Sequence, residues 1–473
     1  MANTNQLKQP NGNADHNAAP AQNSFGKPNI EHTNPLAKTL LEKLDYDQLT
    51  NCMRCGFCLP ACPTFKETGM EPASPRGRIA MMKAAVDGLM VPDQQFQDQM
   101  NLCLGCRACE PACPADVKYG QLIEQTKEAI EEHAQHSLPI KLIRKTVFKS
   151  LFPKRSNLKL LGKSLALYQR SGIQALARKT GAIKIVPKHL QELEGVLPSA
   201  SSKGVVERLG TFVPAQGEAI AKVAMFRGCI MDVMFADTNV NTVDLLSAAG
   251  FDVYIPEAQV CCGALHAHSG EMEQARELAA VNIDVFKALD VDYIVSNAGG
   301  CGALLVEYDH LMHKDPRYAE DASWFAERVI DISSLLVQKG RELRFIHDTG
   351  AEPASKVTYQ DSCHLRNVMK GASAPRILMK QVEGAHYIEM KESDRCCGSA
   401  GIYNVVQPKM ADSILEHKME HADATSASYM LTSNPGCLMQ MKLGIDKYQP
   451  SQPMKAMHIV DFLHERMVLS KSK

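Results

Sequence analysis

Several features that define broad classes of protein are absent from this sequence. No uninterrupted apolar stretch reaches about 18 residues, so we expect no membrane-spanning helix. No positively charged N-terminal segment followed by an apolar segment is present, so we expect no secretory signal peptide. The 52 Lys and Arg residues balance the 53 Asp and Glu residues, so the charge gives no indication of nucleic-acid binding. No Gly-x-Gly-x-x-Gly fingerprint follows a predicted strand, so we expect this chain not to bind NAD or FAD itself.

None of the 16 cysteines is left over, because all of them fall into ordered groups of four. A secreted protein held by disulfides is the alternative, but the cysteine content is modest for such a scaffold. We therefore predict metal-binding thiolates and a cytoplasmic location. The length of 473 residues suggests about three domains.

Two cysteine runs carry the strongest signal in the sequence. CMRCGFCLPACP extends from Cys52 to Pro63, and CLGCRACEPACP extends from Cys103 to Pro114. Each is the C-x-x-C-x-x-C-x-x-x-C-P run of two-cluster ferredoxins, in which the fourth cysteine ligates the other 4Fe-4S cluster. The repetition of the whole run, proline included, favours clusters over the usual four-ligand zinc patterns. The predicted ligands are Cys52, Cys55, Cys58 and Cys113 for cluster 1, and Cys103, Cys106, Cys109 and Cys62 for cluster 2.

The segments around these runs have helical periodicity, so the module that holds the clusters is predicted to be mainly helical. Helices are expected over 36–49, from the SPRGR sequence at 74–78 onward, and over 119–132. Arg76 and Arg78 lie near the start of the second of these helices. They are either solvated or salt-bridged, or they contact a cluster edge or a partner acid, where positive charge would raise a reduction potential.

The charge pattern changes abruptly between Lys141 and Lys188, where thirteen Lys and Arg residues occur without any Asp or Glu. Apolar residues recur there at helical spacing, which predicts basic amphipathic helices. Such helices would bind anionic lipid headgroups or an acidic partner subunit. The alternative is a helical connector that packs on its own domains with solvated lysines.

The remainder of the chain contains an internal repeat, in which the cysteine intervals agree to within one residue. The first copy has KVAMFRGC ending at Cys229, QVCCG with Cys261 and Cys262, and YIVSNAGGC ending at Cys301. The second copy has KVTYQDSC ending at Cys363, DRCCG with Cys396 and Cys397, and YMLTSNPGC ending at Cys437.

Each copy is predicted to form βαβ units and a parallel sheet. In the first copy, strands are expected at 223–226, 253–255 and 293–296, with helices at 238–249 and 270–289. All the repeated cysteines then follow the carboxyl ends of strands, the edge at which open α/β sheets bind ligands. Four thiolates thus converge twice, in CCG site 1 (Cys229, Cys261, Cys262, Cys301) and CCG site 2 (Cys363, Cys396, Cys397, Cys437).

The two ferredoxin runs, the SPRGR segment and the twin CCG repeats together resemble the family of bacterial glycolate oxidase iron-sulfur subunits, from about residue 37 onward. Related families are the C subunit of anaerobic glycerol-3-phosphate dehydrogenase and the CCG subunits of lactate utilisation and heterodisulfide reductase systems. The resemblance implies a complex, cytoplasmic or peripheral at the inner face of the membrane, with FAD-binding subunits that oxidise glycolate to glyoxylate. This chain would then carry the electrons away.

One departure concerns the heterodisulfide reductase pattern, which has a further cysteine three residues after the last one of each CCG site. Leu304 and Gln440 occupy those positions here, so we do not expect disulfide-cleaving chemistry. Four thiolates per site suffice for a cubane, a 2Fe-2S centre or a structural zinc. His266, His268 and His364 lie beside the motifs, either as ligands or sulfur partners or as ordinary loop and core residues.

The predicted organisation is α + α/β, with a helical two-cluster ferredoxin module before two repeated α/β cysteine-rich domains. The predicted divisions are a disordered tail (1–35), the ferredoxin domain (36–135), a basic helical connector (136–215), a first CCG domain (216–345) and a second CCG domain (346–473).

The predicted function is electron relay. A partner flavin would take two electrons as hydride, and the iron-sulfur centres would pass them singly toward a quinone or a membrane acceptor. Lactate or glycerol 3-phosphate are alternative substrates of the complex. Two other classes are a disulfide or quinone reductase with the CCG sites as active centres, and a scaffold whose CCG sites hold zinc.

Overall fold

The computed structural model describes residues 27, 28, 30, 32–347 and 355–468. The predicted disordered tail lies largely outside these residues. Within the described part of the chain, no helix is both long enough and apolar enough to cross a membrane.

A helical module surrounds the two cysteine runs. One helix was expected over 36–49, but the chain forms two, because the Asp45 side chain accepts hydrogen bonds from the amides of Asp47 and Gln48 and starts a second helix. The helix predicted from SPRGR begins at Pro75, where Ser74 caps it by accepting from the amide of Gly77 at 3.0 Å. The helices of the module are α1 (Pro35–Lys43), α2 (Tyr46–Thr50), α3 (Pro63–Thr68), α4 (Pro75–Val86), α5 (Gln94–Asn101) and α6 (Tyr119–His133).

The connector is helical, as its periodicity predicts, but it buries little of its apolar surface. Its elements are α7 (Leu138–Arg144), a π-helix (Lys145–Leu151), α8 (Arg155–Arg170), α9 (Ile173–Lys179), a 3-10 turn (Ala182–Ile185), α10 (Lys188–Gly195) and α11 (Val205–Leu209). Phe148, Leu158 and Ala166 are buried, whereas α7 has no buried residue.

The first repeat contains a five-stranded sheet of order β1-β3-β2-β4-β5, parallel except for its edge strand β1. Its strands are β1 (Phe212–Val213), β2 (Ala221–Phe226), β3 (Phe251–Tyr254), β4 (Tyr293–Ser296) and β5 (Val329–Asp331). Its helices are α12 (Ile230–Met234), α13 (Ala236–Ala248), α14 (Ala264–His268), α15 (Met272–Lys287), α16 (Gly299–Leu305), α17 (Tyr308–Met312), α18 (Ala319–Arg328) and α19 (Ile332–Gln338).

The second repeat has a parallel sheet of order β11-β10-β7-β9, the same order that β5, β4, β2 and β3 follow in the first repeat. A short strand pair, β6 with β8, lies beside it. The strands are β6 (Phe345–Ile346), β7 (Ser355–Tyr359), β8 (Val382–Glu383), β9 (Ala385–Tyr387), β10 (Tyr429–Thr432) and β11 (Lys455–His458). The helices are α20 (Cys363–Asn367), α21 (Ser373–Lys380), α22 (Tyr403–Val406), α23 (Pro408–Asp423), α24 (Pro435–Tyr448) and α25 (Ile459–His464).

The two repeats share one apolar core. Val223 and Val295 of the first sheet belong to the same buried cluster as Tyr359 and Leu431 of the second. Helix α13 packs against α25, and α19 packs against α21. The Asp461 carboxylate stabilises the packing of α13 on α25 by accepting hydrogen bonds from Thr238 at 2.8 Å and from Asn241 at 2.9 Å. The α + α/β architecture with two repeated sheets is confirmed.

Candidate metal centres

The four predicted ligands of cluster 1, Cys52, Cys55, Cys58 and Cys113, line one small cavity under α4. Cys55 is exposed, so this site lies at the protein surface. The chain turns there through Gly56, whose φ is +92°. This positive φ favours glycine, and a Cβ here would lie 2.8 Å from Arg76 Nη1, so the arginine side chain would have to move.

The four predicted ligands of cluster 2, Cys62, Cys103, Cys106 and Cys109, line a second cavity and are all buried. Cys103 Sγ accepts from the amide of Gly105 at 3.4 Å and from the Tyr119 hydroxyl at 3.5 Å. The structure therefore brings the crossed sets together, with one cysteine of each run beside the other run. Cys109 lines both cavities, so the two sites share a wall.

The donor chemistry of both sites suits iron-sulfur clusters. Each cavity presents thiols from two runs, and amide and hydroxyl donors reach sulfur at Cys103, as cluster ligation requires. Among the described residues, no three His, Cys, Asp or Glu side chains are arranged to hold a single metal ion. The match of these sites to iron-sulfur clusters therefore rests on the thiol donors and on the two cavities.

Arg76 and Arg78 have different surroundings, although they are two residues apart. Arg76 lies at the surface, paired with Glu71 at 2.6 Å. Arg78 is fully buried, and its guanidinium donates to the Gln99 carbonyl at 2.7 Å and to the Thr64 hydroxyl at 3.1 Å.

The buried Arg78 lies among the cluster 2 thiols. Burial lowers the pKa of Arg78, but the neighbouring Tyr119, Cys103 and Cys62 act in the opposite direction, and the net pKa is raised. Burial alone would raise the pKa of Cys103, yet the charges of Arg78 and Lys127 leave that pKa below its ordinary value. The cation therefore favours negative charge at cluster 2.

CCG site 1 forms where three strands of the first sheet end. Cys229 follows β2, the Cys261 and Cys262 pair follows β3, and Cys301 follows β4. Cys229 Sγ lies 3.5 Å from Cys261 Sγ, and Cys262 contacts Cys301. The hydrogen bond to Cys261, together with burial, raises the pKa of the Cys229 thiol well above its ordinary range.

CCG site 2 repeats this arrangement on the second sheet, where Cys363, Cys396, Cys397 and Cys437 form successive contacts. The hydrogen bond to Cys396, together with burial, raises the pKa of the Cys363 thiol. Four thiols per site fit a cubane, a 2Fe-2S centre or zinc, as the sequence indicated.

The two CCG sites differ in charge, which the cysteine pattern does not reveal. In the first repeat, Ala275 packs under the CCG turn. Asn282, seven residues later, forms hydrogen bonds to the main chain of Val260 and Cys261. Seven residues after the corresponding Ala411, Lys418 is buried beside site 2, and its amine donates to the Glu392 carbonyl. Burial lowers the pKa of Lys418 to about 8. Site 2 thus has a buried cation where site 1 has a neutral amide.

CCG site 2 is joined to cluster 2 by direct hydrogen bonds to the main chain in and next to the second cysteine run. The Asn367 amide donates to the carbonyl of Cys106 at 2.9 Å, and the Tyr403 hydroxyl donates to the carbonyl of Leu102 at 2.9 Å. Cys106 and Cys363 belong to the same buried cluster.

CCG site 1 in turn adjoins site 2. Asn434 bridges them, since its Oδ1 accepts from the amide of Gly300 at 3.0 Å and its Nδ2 donates to Cys437 Sγ at 3.5 Å. Gly300 directly precedes Cys301 of site 1. The predicted centres therefore follow one another in the order cluster 1, cluster 2, site 2 and site 1.

The three histidines beside the motifs have contacts of their own. His266 bonds to the carbonyl of Phe148 at 2.9 Å and so fixes the connector to the first repeat. His268 stacks on His364 with ring centroids 5.2 Å apart and pairs with Glu124 at 3.3 Å. Burial lowers the pKa of His364 to about 3, so this ring is neutral.

The positions where a fifth cysteine would lie are both buried. Leu304 belongs to α16, and Gln440 belongs to α24, where its side chain accepts from Asn404 at 3.0 Å. Neither side chain supplies a thiol, so each site keeps four.

Models of known families match most of the chain. A 4Fe-4S dicluster domain matches residues 48–117, and a cysteine-rich domain matches residues 223–306 and 357–442. Residues 139–197 match the linker region of the glycolate oxidase iron-sulfur subunit. The connector, whose role sequence patterns left open, is thus a recognised element of that family.

Similar curated proteins agree with these matches. The chain is 49% identical over 426 residues to a probable glycolate oxidase iron-sulfur subunit of Bacillus subtilis, covering 90% of this chain and 95% of that protein. It is 26% identical to the glycolate oxidase iron-sulfur subunit of Escherichia coli over 82% of this chain and 88% of that one. Lactate utilization protein A of Geobacillus thermodenitrificans is 30% identical, over 52% of this chain and 99% of that protein. The chain belongs to the family of glycolate oxidase iron-sulfur subunits.

Proposed function

We propose that this chain relays electrons from a flavoprotein that oxidises glycolate to glyoxylate, through two 4Fe-4S clusters, toward a downstream acceptor. The observation that carries the proposal is the continuous series of thiol sites, which leads from the exposed Cys55 to the buried Cys106 and on to Cys363. A partner flavin would supply electrons singly to this series after it accepts a hydride.

Cluster 1 is the proposed point of electron entry. It lies at the surface beside Cys55, and the neighbouring apolar side chains of Met53 and Phe57 are each 66% exposed. Exposed apolar residues beside a redox site suit the docking of a partner protein. The flavoprotein would therefore contact this face.

The experiment is an anaerobic pull-down of the tagged chain from its native host, followed by addition of glycolate while the iron-sulfur absorbance is recorded. Bleaching in the presence of a recovered flavoprotein supports the relay. Phe57→Asp should abolish the recovery of the flavoprotein, whereas Phe212→Asp, on the remote edge strand β1, should not. The proposal would be refuted if glycolate left the iron-sulfur absorbance unchanged in a complex that contains flavin.

Lactate is the second candidate substrate, because the half-length relatives named lactate utilization protein A share 30% identity with this chain. The match of residues 139–197 to the glycolate oxidase linker favours glycolate. Bleaching by lactate or glycerol 3-phosphate, without a response to glycolate, would keep the relay and change the substrate.

Metal analysis decides what the CCG sites hold. Two cubanes require about eight iron atoms per chain, so a count near eight would leave the CCG sites without iron. Additional iron and acid-labile sulfide would support clusters there, and zinc would support a structural role.

The connector is the proposed membrane-facing surface of the chain. Leu138, Leu142, Leu160 and Ile185 are between 64% and 89% exposed, on helices that carry thirteen cations and no acid between Lys141 and Lys188. Exposed apolar residues among lysines match the interface of an anionic bilayer.

Cosedimentation of the chain with vesicles tests this localisation. Binding is expected to vesicles with anionic lipid at low salt and not to neutral vesicles. Leu142→Glu should weaken binding, while Leu89→Glu, which changes a leucine outside the connector that is even more exposed, should not. Equal retention of both variants would contradict the assignment.

A further inference from the structure

A buried positive charge faces the thiols of CCG site 2. Lys418 of α23 is 2% exposed, and its ammonium interacts electrostatically with Cys396 and Cys397. It donates its hydrogen bond to the main-chain carbonyl of Glu392 and not to a carboxylate, so its hydrogen-bond partner is neutral. A buried charge is costly unless an opposite charge lies close to it. The thiolates of site 2 supply that negative charge.

The matching position beside CCG site 1 is neutral. Asn282 takes the place of Lys418 in the first repeat, and its amide donates to the carbonyl of Cys261 at 2.9 Å. The Tyr308 hydroxyl, which donates to the carbonyl of Cys262 at 2.8 Å, is a second neutral donor on this side. The cysteines of site 1 therefore have dipoles around them where those of site 2 have a full charge.

The other charges beside the two sites do not remove this difference. Charged residues within two positions of a CCG cysteine are either paired with an opposite charge or exposed to solvent. The pairs are Arg227 with Asp232, Asp361 with Arg376 and Arg395 with Glu392, and Asp394 is the exposed carboxylate. A pair has little net charge, and solvent screens an exposed carboxylate. The charge that distinguishes the sites is thus that of Lys418.

Site 2 is also in contact with cluster 2. Cys106 of cluster 2 belongs to the same buried apolar cluster as Cys363 and Cys396 of site 2. The Asn367 amide, four residues after Cys363, donates to the carbonyl of Cys106 at 2.9 Å. An electron on cluster 2 therefore meets the thiols of site 2 across a buried, hydrogen-bonded contact.

Reduction of an iron-sulfur centre adds one negative charge to a group that thiolates already make negative. A buried cation at short range stabilises the added charge, whereas a neutral amide gives far less stabilisation. The reduced state is therefore favoured at the site beside Lys418 and disfavoured at the site beside Asn282.

We propose that Lys418 makes CCG site 2 the redox-active one of the pair, where an iron-sulfur centre takes one electron from cluster 2, while site 1 keeps a single oxidation state. The inference rests on the proposed relay and identifies its last redox-active centre within this chain. One electron leaves reduced cluster 2, which is reoxidised, and enters site 2. No bond to the protein forms or breaks. Lys418 acts through its charge and is a positioning residue rather than a ligand.

The test is a potentiometric titration of the complete complex with a chemical reductant, followed by paramagnetic resonance, with iron counted in each sample. Lys418→Met removes the charge and keeps the length of the side chain. At the potential where site 2 is half reduced in the wild type, the ratio of reduced to oxidised centre should fall about tenfold, a shift of about 59 mV for one electron.

Two control variants separate the charge from the packing. Lys418→Arg keeps the charge and should hold the ratio within about threefold of the wild type. Lys409→Met removes an exposed lysine from the same helix and should leave the ratio unchanged. An unchanged midpoint potential in a Lys418→Met complex that retains its iron would overturn the inference.

A second measurement assigns the signal without any change at Lys418. One reducible centre is expected beyond clusters 1 and 2. Cys437→Ser should alter or abolish its spectrum, because this residue is a ligand of site 2, whereas Cys301→Ser should not. The opposite response, or zinc at site 2, would overturn the inference even if Lys418→Met failed to fold. The titration needs no glycolate, so failure of glycolate to bleach the wild-type complex would refute the relay separately.

Discussion

Replacement of Arg78 by Gln would separate the electrostatic role of this residue from its structural role. The side chain is 1% exposed and makes two hydrogen bonds, to the Gln99 carbonyl and to the Thr64 hydroxyl. Hydrogen bonds that involve a charged group contribute about 1.5–3 kcal/mol each, so their loss should destabilise the module by about 4 kcal/mol. The Thr64 hydroxyl would still donate to the Ala73 carbonyl at 2.6 Å, which limits the loss of stability.

The larger effect of Arg78→Gln is expected on the potential of cluster 2. A unit charge about 8 Å from a redox centre contributes about 2 kcal/mol at an effective dielectric constant of about 20. That energy corresponds to about 90 mV for a one-electron couple. Removal of the cation should therefore lower the midpoint potential of cluster 2 by about 50–100 mV, because the reduced cluster carries one more negative charge.

A potentiometric titration followed by paramagnetic resonance measures both clusters in one sample. Arg76→Gln is the matched control, since Arg76 is solvent-accessible and paired with Glu71, and exposed charges are screened. It should shift cluster 2 by less than about 30 mV, because Arg76 lines the cavity of cluster 1 instead. The reasoning is refuted if Arg78→Gln leaves the potential of cluster 2 unchanged while the cluster remains intact, or if it shifts cluster 1 more.

Two further predictions concern the CCG domains. Gly398→Ala should lower the melting temperature and the metal content more than Gly263→Ala. Both glycines have a φ near +90°, so alanine is strained at either position. A Cβ at Gly398 would also lie 2.7 Å from the Ala411 carbonyl oxygen, whereas the atom nearest to a Cβ at Gly263 is 3.3 Å away. Equal losses in thermal unfolding and iron assays would contradict this. Burial raises the pKa of Asp331 to about 7, so the native chain holds a proton that the unfolded chain releases above about pH 4. Stability should therefore fall as the pH rises from about 4 to 7, by up to about 4 kcal/mol, and level off above. Asp331→Asn should flatten this slope in thermal unfolding between about pH 5 and pH 7.5; parallel slopes for both proteins would disprove the assignment.

Local patterns were sufficient to predict the parallel sheets and the grouping of the cysteines. The alternation of strands and helices determines which loops lie at the carboxyl edge, so Cys229 and Cys301 could be placed together although 72 residues separate them. Even the crossed position of Cys62 beside the second run follows from the spacing rule. The break at Asp45 was missed, because a capping side chain inside an apolar period is a weak signal.

Contacts between distant segments could not be predicted, because they depend on how the modules dock. Nothing at the sequence level distinguishes Asn367, which reaches the main chain of Cys106, from any other polar residue after a cysteine motif. Lys418 likewise appears as one more cation on an amphipathic helix until the fold buries it. A cavity beside Cys103 is formed by segments from four parts of the chain and has no motif.

The one-sided attachment of Asn367 has a consequence for how the duplicated halves can change. The two repeats share one core and their sheets have the same strand order, so an exchange of the repeats would leave the topology unchanged. Such an exchange would put the neutral Asn282 in the place of the buried Lys418 and would remove the bond to Cys106. The duplication has therefore lost its symmetry, and each half is committed to its position.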